Sequence, residues 1–423
     1  MCKRSVQVIR RIYLEVRIIM ANYKGIEYLR RKLAQKRPRI DLRYRYYDMK
    51  YLVRDLNIST PPDLRHWMST LGWCGTAVDS LADRLQFEGF GNDAFGMSEV
   101  FRANNQDVMM DAAVLGALIS ACDFFYITAD ETGFPVMRVI DGKNATGIID
   151  PITNMLTEGY AILEEDEYNR PTMEAYLVPF QTDIYENGEF VRSYRHSAPY
   201  PLLVPMIYRP DATRPFGHSR IKRSMMSIVQ SAVRTIKRSE ISAEFYSFPQ
   251  KYILGMSDDA EQMDKWQATM SSMLRIDKDE DGDHPVVGQF QMASQTPHSE
   301  QLRMLAGLFA GESGLTLDDL GFPSQNPSSS EAIKAAHETL RLTARKAQRT
   351  FGVGILNAGY LAACVRDNQT YLRKQVASTE LRWAPIFEAD VSALAGIGDA
   401  VQKIQAAFPD YFTEDKLHSL TGI

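Results

Sequence analysis

Residues 219–249 read SRIKRSMMSIVQSAVRTIKRSEISAEFYSFP. Ile221, Met225, Ile228, Ala232 and Ile236 recur at spacings of three and four, the period of one helix face. Phe248-Pro249 ends the run, because a residue preceding proline is pushed out of helical backbone. The stretch predicts a long helix over 219–247. Its other face carries Lys222, Arg223, Arg234, Lys237 and Arg238. Such a cationic stripe has three uses: facing DNA, pairing with acidic groups of a neighbouring subunit, or standing in water. The acidic insert that follows supplies candidate partners, so subunit contact ranks first.

Downstream, residues 250–293 predict a compact insert, with a short helix near 258–273 and strands on either side of an acidic turn. Asp277, Asp279, Asp281 and Asp283 make up that turn. Asp277 to Gly282 matches the first half of a calcium loop, but the twelfth position, which must supply a bidentate Glu, is Gly288. A solvated acidic turn is the better reading. A second helix is predicted near 298–312. An apolar loop from 314 to 329 follows, with Leu315, Leu317, Leu320 and Phe322 and no predicted secondary structure. Loops of that length usually have a task. Read blandly, its apolar groups tuck into the core; read functionally, it is a mobile surface that touches DNA without binding it ionically. Ser328, with Glu331 three residues on, is a capping-box pattern that starts a helix running to about 366. One strand is expected within 380–391, and 391–423 is mainly helical.

Upstream, 123–216 alternates short β-branched and aromatic runs with turn signals such as Asp141-Gly142 and Asn187-Gly188, and predicts strands. Residues 64–85 suit a helix or helix pair, and 98–122 a single helix. Residues 21–36 predict a short basic helix broken before Pro38. In Arg43-Tyr44-Arg45-Tyr46-Tyr47, cationic and aromatic side chains alternate. Nucleic acid is one reading of that pattern. The plainer one is a β-like segment with packed tyrosines and wet arginines.

The chain has 423 residues and a net charge of -5. Residues 1–50 carry 15 Lys/Arg against 4 Asp/Glu, and the remainder 33 against 49. The basic head suits nucleic acid or an acidic neighbour, while the acidic remainder argues against a protein that grips DNA over most of its surface. Cys2, Cys74, Cys122 and Cys364 show no paired spacing and read as reduced thiols. No apolar run is long enough for a membrane span. Met20-Ala21 resembles an alternative start, which makes 1–19 either untranslated or a peripheral arm. The sequence holds no phosphate loop, no H-E-x-x-H and no G-x-S-x-G. The seven histidines are scattered, so no cofactor, metal or catalytic residue is assigned.

Several stretches in fixed order resemble the portal proteins of tailed bacteriophages, of the siphophage type. They are WCGTAVDSLADRLQFEGF at 73–90, Pro201 to Arg209, Gly217 to Ile221, Ala243 to Gly255, Pro327 to Leu340, and Trp383-Ala384-Pro385. The likeness covers about residues 40 to 423. It implies an α+β portal-type architecture. After an extension at 1–20 come a mixed α/β wing at 21–218, stem helix 1 at 219–247, a small α/β clip at 248–295 and stem helix 2 at 296–313. A tunnel loop at 314–329, a long wing helix at 330–375, a returning strand at 376–393 and a short helical crown at 394–423 complete it.

The implied function is a non-enzymatic ring subunit, usually one of twelve, forming the DNA channel at one capsid vertex. Implied partners are the terminase large subunit, the head–tail adaptor, the major capsid and scaffolding proteins, and double-stranded DNA, with no membrane. The implied location is the virion, and the host cytoplasm during assembly. Leu315, Leu317, Asp318, Phe322, Ser324, Gln325 and Asn326 would face the channel. Asp277, Asp279, Asp281 and Asp283 would meet the motor or adaptor. The alternatives are a metal-dependent nucleic-acid-processing enzyme and another structural phage protein.

Overall fold

Helix α1 runs without a break from Ile26 to Tyr47, through Pro38. The expected break there is overridden by anchoring on both sides of the proline, whose cost inside a helix is about 3 kcal/mol. Leu29, Leu33, Ile40 and Tyr46 are buried. Arg37 bonds Asn144 and Glu165, Lys36 donates to the Ala145 carbonyl and Arg43 to that of Ser120. The computed structural model in which this is seen describes residues 23–53, 66–247, 251–254, 286–289, 294–323, 333, 335–387, 391–408, 411 and 417. The extension before residue 23 lies outside them.

The Arg-Tyr segment is therefore helical, not β-like, and its tyrosines turn inward. Tyr46 stacks on Tyr51 at 4.5 Å, and its hydroxyl accepts from Gln230. Tyr47 donates to Asp79. Among the described residues, Arg30, Lys32, Lys36, Arg37 and Arg43 of this basic helix are spent on bonds within the molecule.

The next helices are α2 (Trp73–Ala82), α3 (Met97–Ala103) and α4 (Gln106–Ser120). The single helix expected over 98–122 is split, because Asn105 is left-handed at φ 53°. The side chain of Asn104 accepts from Met137 N–H and donates to the Pro135 carbonyl, so the break doubles as a clasp on a strand.

The chain between 122 and 207 is all strand and turn. Strands β2 (Cys122–Ala129), β3 (Pro135–Ile140) and β9 (Leu203–Ile207) form one sheet in the order β3-β2-β9. Strands β4 (Ala145–Ile149), β5 (Leu156–Glu165), β6 (Pro171–Val178), β7 (Gln181–Glu186) and β8 (Glu189–Arg195) form an antiparallel meander. A short β1 (Phe87–Gly91) pairs with β12 (Glu380–Trp383). α4 packs on β2, and the long helix α7 (Glu338–Arg366) crosses β9 and β2. Cover of that kind explains why β2 reads as a nearly continuous apolar run. The fold class is α+β. Three cysteines, Cys74, Cys122 and Cys364, are free and buried. No helix among the described residues is long and apolar enough to cross a membrane.

Where α1, α4 and β2 meet, Asp123 is 2% exposed. Ser120 Oγ and Gly142 N–H donate to it at 2.7 and 2.9 Å. Burial, with the Asp141 carboxylate nearby, pushes its carboxyl up to about 7, against the pull of Ser120, Gly142 and Lys36. The folded state therefore holds this proton to higher pH than the unfolded chain. The stability linked to it is fully present below about pH 4 and is lost as pH rises through about 7. Asp123→Asn should gain about 2–4 kcal/mol over the native chain at pH 8, with the gap closing toward pH 4. Urea melts at the two pH values test this; an equal gap at both would show that the carboxyl does not titrate in this window.

Candidate functional site

Helix α5 spans Arg223–Ser247 and α6 spans Thr296–Ser313. They run antiparallel. Ser224 and Lys222 bond Glu312 at one end, while Ser239 donates to Gln295 at the other. At the outer end β10 (Lys251–Leu254) pairs antiparallel with β11 (Val286–Gln289). The predicted short helix and acidic turn between them, including Asp277, Asp279, Asp281 and Asp283, lie outside the described residues.

The apolar face of α5 is buried through Met225, Val229, Ala232 and Val233, continuing from Ile221 just before the helix. The five cations read as one stripe part company. Lys222 donates to the Glu312 carbonyl, satisfying an end-group that a helix C-terminus leaves open. Lys237 is buried. Arg234 bonds Ser231, and Arg223 and Arg238 are exposed. Lys222 precedes α5, and residues 223 to 238 cover more than four turns of a helix that dips into the body, so one stripe meets several environments.

The root of the helix pair is a feature that the sequence did not announce. Gly217 is left-handed at φ 75°. Ser219 Oγ donates to the Ile119 carbonyl at 2.6 Å. Arg220, 4% exposed, donates from Nε to the Ala77 carbonyl and from its terminal nitrogen to that of Ser313, at 3.1 and 2.6 Å. One guanidinium thus joins α2, the end of α6 and the approach to α5. In the sequence, Arg220 looks like one more cation in a basic run. Nothing local marks it as buried.

The loop after α6 has more structure than expected. Gly314 closes the helix at φ 72°, and Asp318–Leu320 forms a 3-10 turn. Leu315 and Leu320 are buried, Leu317 and Phe322 pack against the core, and Phe322 meets Trp73 edge-on at 6.5 Å. Asp318 is exposed. Asp319 accepts from Thr316 N–H and Oγ at 2.8 and 2.9 Å and sits 3.3 Å from His337. Burial opposes the charge of Asp319, but those Thr316 bonds and His337 hold the carboxyl below its usual range. The apolar half of the loop is therefore a tethered base within the chain. A Thr-x-x-Asp spacing was the available signal. Ser324, Gln325 and Asn326 lie outside the described residues, as do Ser328 and Glu331. Residues 333, 335 and 336 are helical, and α7 follows from Glu338. The last helix, α8, spans Val391–Ala407.

Among the described residues, no group of three or more His, Cys, Asp and Glu is placed to hold a metal ion. No protein-family model matches the chain. The chain is similar to the portal protein of Mycobacterium phage L5, 25% identical over 329 residues that cover 73% of this chain and 67% of the relative. It matches the portal protein of Mycobacterium phage D29 with the same identity and coverage. Among solved structures, it is similar to a chain from the virion of a native gene transfer agent particle. That match has 13% identity, a TM-score of 0.45 and coverage of 83% of this chain and 89% of the other. A chain from the neck of the empty particle matches at 14% identity with a TM-score of 0.43, covering 86% and 95%.

Proposed function

We infer that this chain is a portal subunit of a tailed phage, one copy in a closed ring that forms the DNA passage at a capsid vertex. The observation that carries the reading is the similarity to two phage portal proteins over most of the chain. The order of elements supports it: a mixed α/β body, an antiparallel helix pair with a small strand-paired end, a tethered loop, then a long helix crossing the sheet. In this reading, residues 23–218 with α7 and β12 are the wing, α5 and α6 the stem, and 248–295 the clip. The loop from Gly314 to 329 faces the channel, and α8 belongs to the crown. Because Leu315, Leu317 and Phe322 hold the loop to the body, the DNA-facing role falls to Asp318 and to Ser324, Gln325 and Asn326.

The chain works as a conduit and docking platform. Each phosphate contact adds affinity and hence drag on sliding DNA, so a net charge of -5 suits passage. A separate terminase large subunit supplies the ATP-driven motion and meets the clip; the head–tail adaptor takes its place afterwards. Capsid and scaffolding proteins surround the wing. The ring has twelve copies in the virion and assembles in the host cytoplasm. Negative-stain electron microscopy of the purified full-length chain tests this. Rings with an axial hole are expected, and monomers or dimers at every concentration would overturn the reading.

A further inference from the structure

The five-stranded meander has two ends of opposite chemistry. Its strands follow one another in order, so successive turns fall at alternate ends. Turns 150–155 and 179–180 lie at one end, and 166–170 and 187–188 at the other. The ten residues of β5 separate the ends by about 33 Å.

The first end borders a groove of about 810 Å³ between turn 150–154, segment 205–215 and α7. Pro151, Pro205, Pro210 and Pro215 wall it. Arg209, Lys346 and Arg349 on its rim are exposed and make no ion pair among the described residues. Its one lining carboxylate, Asp211, is held by His218 at 2.5 Å. The second end is a knob. Tyr168 at its tip is 76% exposed, with the Arg170 guanidinium over its ring. Glu164, Glu167, Glu186 and Glu189 around it are exposed and likewise make no ion pair among the described residues. Glu165 is engaged by Arg37.

An exposed aromatic on an acidic knob fits a rigid, proline-walled groove rimmed by cations. Because the two surfaces differ and lie at opposite ends of one sheet, their pairing is head-to-tail, the contact type from which rings are closed. We propose that turn 166–170 of one copy seats in the groove over α7 of the next, with Tyr168 against the prolines and the knob carboxylates facing Arg209, Lys346 and Arg349. The proposal rests on the ring reading and adds which surfaces meet. Tyr168 is the anchor, and the rim charges set register and association rate.

Charge reversal in the full chain tests it. E164K/E167K and K346E/R349E should each raise the concentration for half-assembly at least about tenfold, and the combined variant should return to within about threefold of the native chain. All the altered residues are exposed, so melting temperatures should stay unchanged. Tyr168→Cys with Thr350→Cys should give an oligomer ladder on oxidation that neither single cysteine gives. Both reversals assembling as the native chain does, with no ladder, would overturn the contact and leave the ring standing. So would loss of assembly from only one reversal, since the knob or groove would then have another partner. A native chain that never assembles would overturn the ring reading, and this contact with it.

Discussion

Arg220→Ala is expected to lower stability by about 4–6 kcal/mol. Two charge-assisted bonds, to the Ala77 and Ser313 carbonyls, would go. Each is worth about 1.5–3 kcal/mol. Ser313 is itself buried, and its carbonyl lies among the last four of α6, which have no partner within the helix. It would be left dry and unpaired, beside a cavity of side-chain size. Arg220→Met separates the contributions: it fills the space and removes the cost of a buried charge, so about half the loss should remain. Arg220→Lys keeps the charge but replaces a rigid fork by a point donor that cannot serve both carbonyls. Denaturant melts of the three variants give the ranking Met, Lys, Ala from least to most damaged. An alanine variant within about 1 kcal/mol of the native chain would show that Arg220 does not fasten the helix pair.

How much of this was legible follows from what each signal reports. The strands between 122 and 207 were legible because β-branched and aromatic runs alternate with turn residues, a local property. Helix α5 was legible because its apolar period persists over several turns. Pro38 misled because its cost is local, whereas the anchors that outweigh it, Ala145, Glu165 and Ser120, are distant in sequence. The same holds for Asn105, whose left-handed backbone is stabilised by what Asn104 does with β3. The candidate site was legible as an order of elements and much less as side chains. Lys222 and Arg223 are adjacent, similar and basic, yet one caps a neighbouring helix and the other is exposed. Only the packing of α6 beside α5 separates them. Residue type marked Leu317 and Phe322 as apolar, but not what they pack against, which depends on Trp73 and other residues distant in sequence.

The second large effect is expected at Gly217, where the chain turns from β9 toward α5. Its φ is 75°, a region that costs an L-residue about 1–2 kcal/mol. The space is also closed: a Cβ there would lie 2.1 Å from the Tyr208 carbonyl oxygen and 2.8 Å from Ile207 Cγ2. The obstacle is backbone, and that carbonyl already accepts the His218 N–H at 2.9 Å, so it cannot move aside without loosening the entry to α5. Gly217→Ala should therefore cost about 3–5 kcal/mol, conformation and overpacking together. Gly188, in the turn between β7 and β8, isolates the first cost. Its φ is 86°, but nothing lies within 4 Å of its would-be Cβ, so Gly188→Ala should cost only about 1 kcal/mol. If the two variants melt alike, the close approach at Gly217 has no energetic weight. If Gly217→Ala is the far weaker one and also fails to form rings, the turn that aims the helix pair is a requirement of assembly as well as of folding.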